Sequence, residues 1–294
     1  MVNNKQQHWV PASYLKAWVD AETRPRQKPY VQVFDRDGGN HRRKSPENIF
    51  KTPNLYTIWD DTGRNLRIEQ EFKHWEDDFL RVRKSIEANG RCTDEDAADL
   101  YCFAGALAAR PPHRIEFVKN QWASIAKKMR SIQINPDVAY PPTLSNGPSM
   151  DPVQVQELAD NPMGTWFPEA IAGWINTISD LFGFEVLVND TEHPFLTSDT
   201  PVVIWHPPVA NGRPFPRGLG SPTCEITLPL SPRFALLFRH RKTKVAEFTR
   251  VTWERVFEIN FRTITRARCN IISDRPDIFF VLAITQHVAG REAS

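Results

Sequence analysis

Apolar residues recur through the middle of the chain with the period of an α-helix. Five of them follow one another at steps of three or four positions: Phe72, Trp75, Phe79, Val82 and Ile86. This spacing predicts a helix that begins near Leu66 and ends at Asn89-Gly90. Thr93 and Asp96 then form a capping-box pattern, with Asp in place of the usual Glu, and predict a second helix through Leu107.

Three further helices are expected around these two. We predict a short helix over 11–19, one over 115–129 and one over 166–182 that stops at Gly183. Residues 135–165 are rich in Pro, Asn, Ser and Gly, so they are expected to form a long loop around one short helix.

The hydrophobic period shortens toward both ends of the chain, as expected for strands. Residues 30–35 alternate between apolar and polar and run into the turn 37–40, while residues 55–59 precede the turn 60–63. The last third contains short apolar runs, interrupted by one helix over 253–269. These predicted strands are 184–188, 202–205, 225–228, 234–238, 270–272 and 278–283.

Because helices cluster in the middle instead of alternating with strands, the pattern predicts an α+β fold. The helical segment 66–183 is expected to pack with a mostly antiparallel sheet from 184–294. Residues 1–65 are expected to form a small β-rich segment. The three segments are expected to make one compact domain.

Composition narrows the class of protein. No apolar run approaches the length of about 20 residues that a membrane helix needs. The first residues lack the pattern of a secretory signal, so a cytoplasmic location is expected. Four cysteines without a C-x-x-C pair argue against a zinc ribbon or a disulfide framework.

The charge pattern leaves the question of a nucleic-acid partner open. A net charge of +2 does not by itself imply a polyanionic ligand. Basic residues nevertheless crowd the stretch 24–44, where they either contact phosphates or form a solvated loop.

Signatures of nucleotide-binding loops, zinc proteases and lipases are absent from the sequence, so candidate sites rest on polar residues in apolar settings. His8 stands before Trp9-Val10-Pro11, where the proline starts a helix and holds the imidazole at its entrance. A metal ligand, a general base and a hydrogen-bonded structural histidine are all compatible with this position.

Glu69, Glu76 and Arg83 recur every seven residues, which places them along one edge of the predicted helix stripe. A rise of 1.5 Å per residue separates the backbones of the two glutamates by about 10 Å. They either contribute to one site with residues from elsewhere or form the charged border of an ordinary amphipathic helix.

Arg110 ends a mostly apolar helix, where its guanidinium either binds an anion or interacts with the helix C-terminus. The segments Ser198-Asp199-Thr200-Pro201 and Ser273-Asp274-Arg275-Pro276 repeat an S-D-x-P pattern. Serine and aspartate can bind backbone amides while proline fixes a turn, so both segments are interpreted first as corners between strands.

Taken in order, these landmarks resemble an uncharacterised bacterial domain-of-unknown-function family with an N-terminal H-[YW]-[VI]-P motif and a later T-S-D-x-P motif. The matching pieces are Gln7-His8-Trp9-Val10-Pro11 with Tyr14-Leu15, Asn54-Leu55-Tyr56, the helix 69–76, Arg110, 195–199 with Pro201-Val202, and 228–232. The resemblance brings no established reaction. It implies that His8, Glu69, Glu76, Arg110, Ser198 and Asp199 are the positions to examine first.

The leading hypothesis is a metal-dependent hydrolase, namely a nuclease of the toxin or anti-phage type that cleaves phosphodiesters in nucleic acid. Glu69, Glu76 and Asp199 would bind Mg²⁺ or Mn²⁺, His8 would activate water, and Arg110 would stabilise developing phosphate charge. The catalytic set is therefore His8, Glu76, Arg110 and Asp199.

The alternative hypothesis is a non-enzymatic ligand sensor or interaction module. In this case the same polar residues complete a buried network beneath a pocket. Nine tryptophans and eighteen phenylalanines are ample to line such a pocket or a partner surface. The two hypotheses differ in geometry, since catalysis requires His8, Glu76 and Asp199 to meet in one cleft that solvent reaches.

Overall fold

The computed structural model describes residues 6–24, 27–61, 63–131, 151–207, 218–240, 247–277 and 283–284. Within these ranges the α-helices are Ala12–Leu15 (α1), Arg67–Asn89 (α2), Asp94–Ala109 (α3), Pro112–Ser131 (α4), Pro152–Asp160 (α5), Phe167–Leu181 (α6) and Trp253–Arg266 (α7). Short 3₁₀ helices cover Lys16–Trp18 and Pro46–Asn48.

The strands of the N-terminal part are Gln6–His8 (β1), Val31–Asp35 (β2), Arg42–Lys44 (β3), Lys51–Pro53 (β4), Ile58–Asp60 (β5) and Gly63–Asn65 (β6). Those of the C-terminal part are Phe182–Asn189 (β7), Thr197–Ser198 (β8), Val203–Trp205 (β9), Glu225–Ser231 (β10), Phe234–His240 (β11), Glu247–Val251 (β12) and Asn270–Ser273 (β13).

Local sequence signals explain the two central helices. The Thr93 side chain accepts from the Asp96 amide and the Asp96 side chain accepts from the Thr93 amide, so the predicted capping box at the start of α3 is confirmed. Gly90 ends α2 with φ of 58°, a left-handed conformation that glycine adopts without strain. The two helices pack through Phe79 and Phe103, whose rings stack with centroids 3.8 Å apart.

A glycine sets how closely α3 approaches α6. A Cβ atom added at Gly105 would lie 2.6 Å from Cγ1 and 2.9 Å from Cα of Ile175, which is too close for any side chain. The absence of a side chain at this position therefore lets the backbones of the two helices come together.

The described strands form four sheets, two of which are two-stranded pairs, β1 with β4 and β5 with β6. Of the other two, the larger has the strand order β12-β7-β11-β10-β9, and its neighbours are antiparallel except for the parallel pair β12 and β7. The smaller has the order β3-β2-β13-β8 and is antiparallel throughout. Because β2 and β3 come from the N-terminal part and β8 and β13 from the C-terminal part, the ends of the chain share one sheet.

The main hydrophobic core lies between the central helices and the larger sheet. It combines buried side chains of α1, α2 and α3 with those of β7, β10 and β11. Tyr14 of α1 is fully buried there, and its hydroxyl donates to the Pro229 carbonyl at 2.7 Å. This contact fixes the first helix to the sheet formed by the last third of the chain.

The expected α+β class and the mostly antiparallel sheet are confirmed. Several predicted boundaries are wrong: α4 begins at Pro112, α7 already ends at Arg266, and Gly183 lies inside β7 instead of ending the preceding helix. The sequence pattern did not indicate β1, β4, β8 and β12. Residues 135–150 of the expected loop and 278–282 of the last expected strand fall outside the described part.

None of the described helices is both long enough and apolar enough to cross a bilayer.

Candidate functional site

A solvent-open cavity of about 410 Å³ lies between the start of the chain and α2. Three of the predicted site residues, His8, Glu69 and Glu76, line it. Further polar groups at its wall are Gln6, Gln7, Ser13, Gln70, Lys73 and Asp77. The cavity therefore joins the H-W-V-P segment to the glutamate face of α2.

Glu69 is held by a glutamine that the sequence reading did not select. Gln7 is buried, and its Nε2 donates to Glu69 Oε2 at 2.8 Å. The side-chain oxygen of Gln7, Oε1, accepts from the Tyr56 backbone amide at 2.7 Å, which orients the side chain toward the helix. Gln7 thus fixes one carboxylate of the cavity to the β-rich N-terminal part.

The buried guanidinium of Arg110 holds the carboxylate of Glu76 from the interior of the protein. Arg110 is 1% exposed, and its Nη1 donates to Glu76 Oε1 at 2.7 Å. The guanidinium carbon also lies 3.7 Å from the centre of the Phe72 ring, a cation–π contact. The anion that Arg110 needs is therefore Glu76 itself.

The second oxygen of Glu76 faces a weaker partner. Among the described residues, Oε2 accepts only from the Ser13 hydroxyl, at a long 3.4 Å. This oxygen remains the more available acceptor of the pair, since Arg110 engages the other one.

His8 lies half-buried at the end of β1, beside the same cavity. Its Nε2 is 3.3 Å from the Glu47 carbonyl oxygen. Burial lowers the pKa of His8 below its usual value, although this contact and nearby Glu76 act in the opposite direction. The ring is therefore neutral at pH 7.

Asp199 lies elsewhere. Its two carboxylate oxygens accept from the backbone amides of Arg268, Cys269 and Asn270 at 2.8, 2.7 and 3.1 Å. Burial raises the pKa of this carboxyl group, and the three amide donors oppose that rise. Asp199 lines a different cavity, with Trp9, Phe50 and His113, and its carboxylate fixes the connection between α7 and β13.

The other polar side chains of the T-S-D-T-P segment also form structural hydrogen bonds within the protein. Thr197 shares a hydrogen bond of 2.8 Å with the Tyr14 hydroxyl, and Ser198 accepts from the Thr200 amide at 3.1 Å. The Thr200 hydroxyl donates to the Arg266 carbonyl at 2.8 Å, which satisfies an end group of α7. The second S-D-x-P segment repeats the turn, because Ser273 accepts from the Arg275 amide at 3.3 Å.

The structure thus brings His8, Glu69 and Glu76 to one cavity with Arg110 beneath it, and places Asp199 in another. The proposed metal set of Glu69, Glu76 and Asp199 does not form a common ligand group. Across the described residues, no three His, Cys, Asp or Glu side chains are arranged to hold a metal ion.

Lys73 was also missed, although its position carried a signal. It follows Glu69 by four residues and precedes Glu76 by three, which is the spacing of neighbours on one helix face. Three acidic groups, Glu69, Glu76 and Asp77, share the wall with this single lysine. Arg110 behind Glu76 adds a second positive charge, so acidic groups outnumber basic ones around the cavity by three to two.

Comparison with known proteins places the chain in a family. The family described as protein of unknown function (DUF4238) matches residues 6–277, so the chain belongs to it. The match includes every residue discussed above as a candidate. Searches among curated proteins and among solved structures found no match.

The Arg110–Glu76 pair yields the first prediction. Glu76→Ala leaves a buried guanidinium without its counter-ion and should lower the free energy of unfolding by about 3 kcal/mol or more. The double variant Glu76→Ala/Arg110→Met removes both charges and should recover much of this loss, which chemical denaturation will measure. If the double variant loses as much stability as the two single variants added together, Glu76 and Arg110 do not act as an ion pair.

Asp199 provides the second prediction. Asp199→Asn replaces one acceptor oxygen by an amide group that cannot accept from the 268–270 backbone, and should cost about 1–3 kcal/mol of stability. The control is Asp274→Asn in the second S-D-x-P corner, where the partner is the exposed Arg275 and the change should be below about 1 kcal/mol. If both variants melt at the same temperature, the Asp199 carboxylate does not have the structural role assigned to it.

Proposed function

We propose that this chain is a ligand-binding module whose site is the acidic cavity between the N-terminal segment and α2. The ligand is a small polar molecule that carries a positively charged amine. The observation that carries this proposal is the shared position of Glu69 and Glu76 at one solvent-open cavity, each fixed by a residue behind it.

The charge of the cavity supports an amine as the recognised group. An ammonium group gains from nearby carboxylates and donates the hydrogen bonds that carboxylate oxygens accept. The Oε2 atom of Glu76 is suited to this role, because its described contact is the long one to Ser13. A phosphodiester backbone, by contrast, would be repelled by the same carboxylates unless cations intervened.

The rigidity of the cavity supports binding as well. Gln7 and Arg110 are buried and hold the two carboxylates before any ligand arrives. Preorganised groups lower the entropic cost of association, so affinity is gained without new contacts. A volume of about 410 Å³ lies within the usual range of small-molecule sites.

The third prediction tests this site by its charge. Glu69→Gln keeps an oxygen that can accept from Gln7 but removes one negative charge from the cavity. Binding of amine probes such as putrescine, agmatine and arginine, measured by calorimetry, should weaken about tenfold in this variant, the equivalent of 1.4 kcal/mol.

The matched control is Glu71→Gln, an exposed position on the same helix that does not line the cavity. It should bind the same probes as the parent protein does. An equal loss in both variants would show only a general effect of net charge, and no binding of any amine would sink the proposal.

A hydrolase is the second candidate, and the state of His8 favours it. A neutral imidazole can accept a proton from water, and His8 shares the open cavity with Glu76. In this scheme His8 would be the general base and Glu76 would orient the substrate. Asp199, committed to three amides, would act only through the scaffold.

The fourth prediction concerns this reaction. Hydrolysis of a model ester, of bis(p-nitrophenyl) phosphate and of DNA and RNA with Mg²⁺, Mn²⁺ or chelator should be lost in His8→Gln. This variant can still donate to the Glu47 carbonyl. Because the pKa of His8 is lowered, activity should be full at pH 7. On acidification it should fall only below the usual pKa of histidine, where the ring becomes protonated.

His74→Ala is the control, because His74 is exposed on α2 and pairs with Asp78. Activity retained in His8→Gln, or no turnover by the parent protein in any of these conditions, would eliminate the hydrolase candidate. Amine binding would be unaffected by either result, so the two functions are separable.

A further inference from the structure

A third cavity, of about 490 Å³, lies where the start of α4 meets the end of α7. Every titratable residue at its wall is basic: Arg36, His113, Arg114, His206, Arg266 and Arg268. The other lining residues are threonines and apolar side chains. This composition is the opposite of that of the acidic cavity.

The positive charges are close enough to act on one another. Burial lowers the pKa of His113, and the charges of Arg114 and Arg268 lower it further. Burial also lowers the pKa of Arg114, whose guanidinium lies 5.2 Å from the centre of the Trp174 ring. Cations that share one cavity repel one another, and an anion bound among Arg114, Arg266 and Arg268 would relieve this repulsion.

The carboxylate of Asp199, in the adjoining cavity, does not pair with these guanidinium groups. Asp199 lines the neighbouring cavity, which shares His113 and Arg268 with the basic one. Both of its oxygens, however, are occupied by the amides of residues 268–270. The carboxylate therefore shapes the loop that carries Arg268 and is directed at the backbone.

The backbone adds to the positive potential. Helix α4 spans Pro112–Ser131, and its N-terminal turn carries His113 and Arg114 at this cavity. A helix N-terminus normally attracts acidic side chains, yet its first turn contains none. The helix dipole and the arginines thus favour the same kind of ligand, a negatively charged one.

We propose that this basic cavity binds a phosphate-bearing ligand of the size of a nucleotide. Arg266 and Arg268 are exposed and present guanidinium groups that match phosphate oxygens in pairs, while half-buried Arg114 is held by Trp174. A cavity of this volume is of the size of small-molecule sites, whereas a nucleic-acid strand would need an extended basic groove.

The fifth prediction compares inorganic phosphate, pyrophosphate and ATP as probes, measured by calorimetry and by the shift in melting temperature. All three should bind the parent protein. The double variant Arg266→Gln/Arg268→Gln should weaken binding about a hundredfold, or about tenfold for each arginine. Folding should persist, because the contacts of these two residues with Thr200 and Asp199 use the backbone.

The control variant is Lys127→Gln/Lys128→Gln, which removes two exposed charges from the last turns of α4. At 1.5 Å per residue these positions lie about 20 Å along the helix from Arg114. This variant should bind the probes as the parent does, and so should Glu69→Gln of the acidic cavity. Failure of amine binding would consequently leave the phosphate result untouched.

Three outcomes would overturn the proposal. The first is that the parent protein binds none of the probes, and the second is that the lysine control loses as much affinity as the arginine variant. The third is that a single-stranded oligonucleotide binds far more tightly than ATP, with an affinity that falls steeply with salt, which would identify nucleic acid as the ligand.

Discussion

A fully buried guanidinium constrains how the helical part of this chain meets its N-terminal part. Arg110 ends α3, and its charge must be balanced within the protein because water cannot reach it. Glu76 of α2 supplies the balancing charge, and the Tyr56 hydroxyl donates to the Arg110 carbonyl at 3.1 Å. This requirement and the stacked rings of Phe79 and Phe103 together fix α2 against α3, and with it the acidic wall of the first cavity.

Much of the fold was predictable because the relevant signals are local. The capping box at Thr93, the left-handed Gly90 and the apolar spacing of α2 each depend on a few neighbouring residues. Gly183 was misread because glycine ends helices but also enters strands, and only the pairing of β7 with β11 decides between the two. Likewise β8 has two residues, too few to show an alternating pattern, and exists because β13 lies beside it.

In the candidate site, too, local contacts were predictable from the sequence and contacts between distant residues were not. Glu69 and Glu76 share a helix face, so their common cavity follows from spacing, and His8 reaches it through the pairing of β1 with β4. Asp199 was grouped with them because the family resemblance singled out its segment and because metal-dependent hydrolysis needs carboxylate ligands. Its actual partners are three amides about 70 positions later in the chain, and no residue pattern identifies such donors.

The T-S-D-T-P segment connects the two cavities through hydrogen-bonded neighbours. Thr197 bonds to Tyr14, which follows the Ser13 that contacts Glu76, and Thr200 bonds to the end of α7, which carries Arg266. Each link is buried or part-buried and fixes the backbone on which the next one depends. Both cavities are therefore attached to the same hydrogen-bonded segment, and the contacts that position their walls are made within the protein itself.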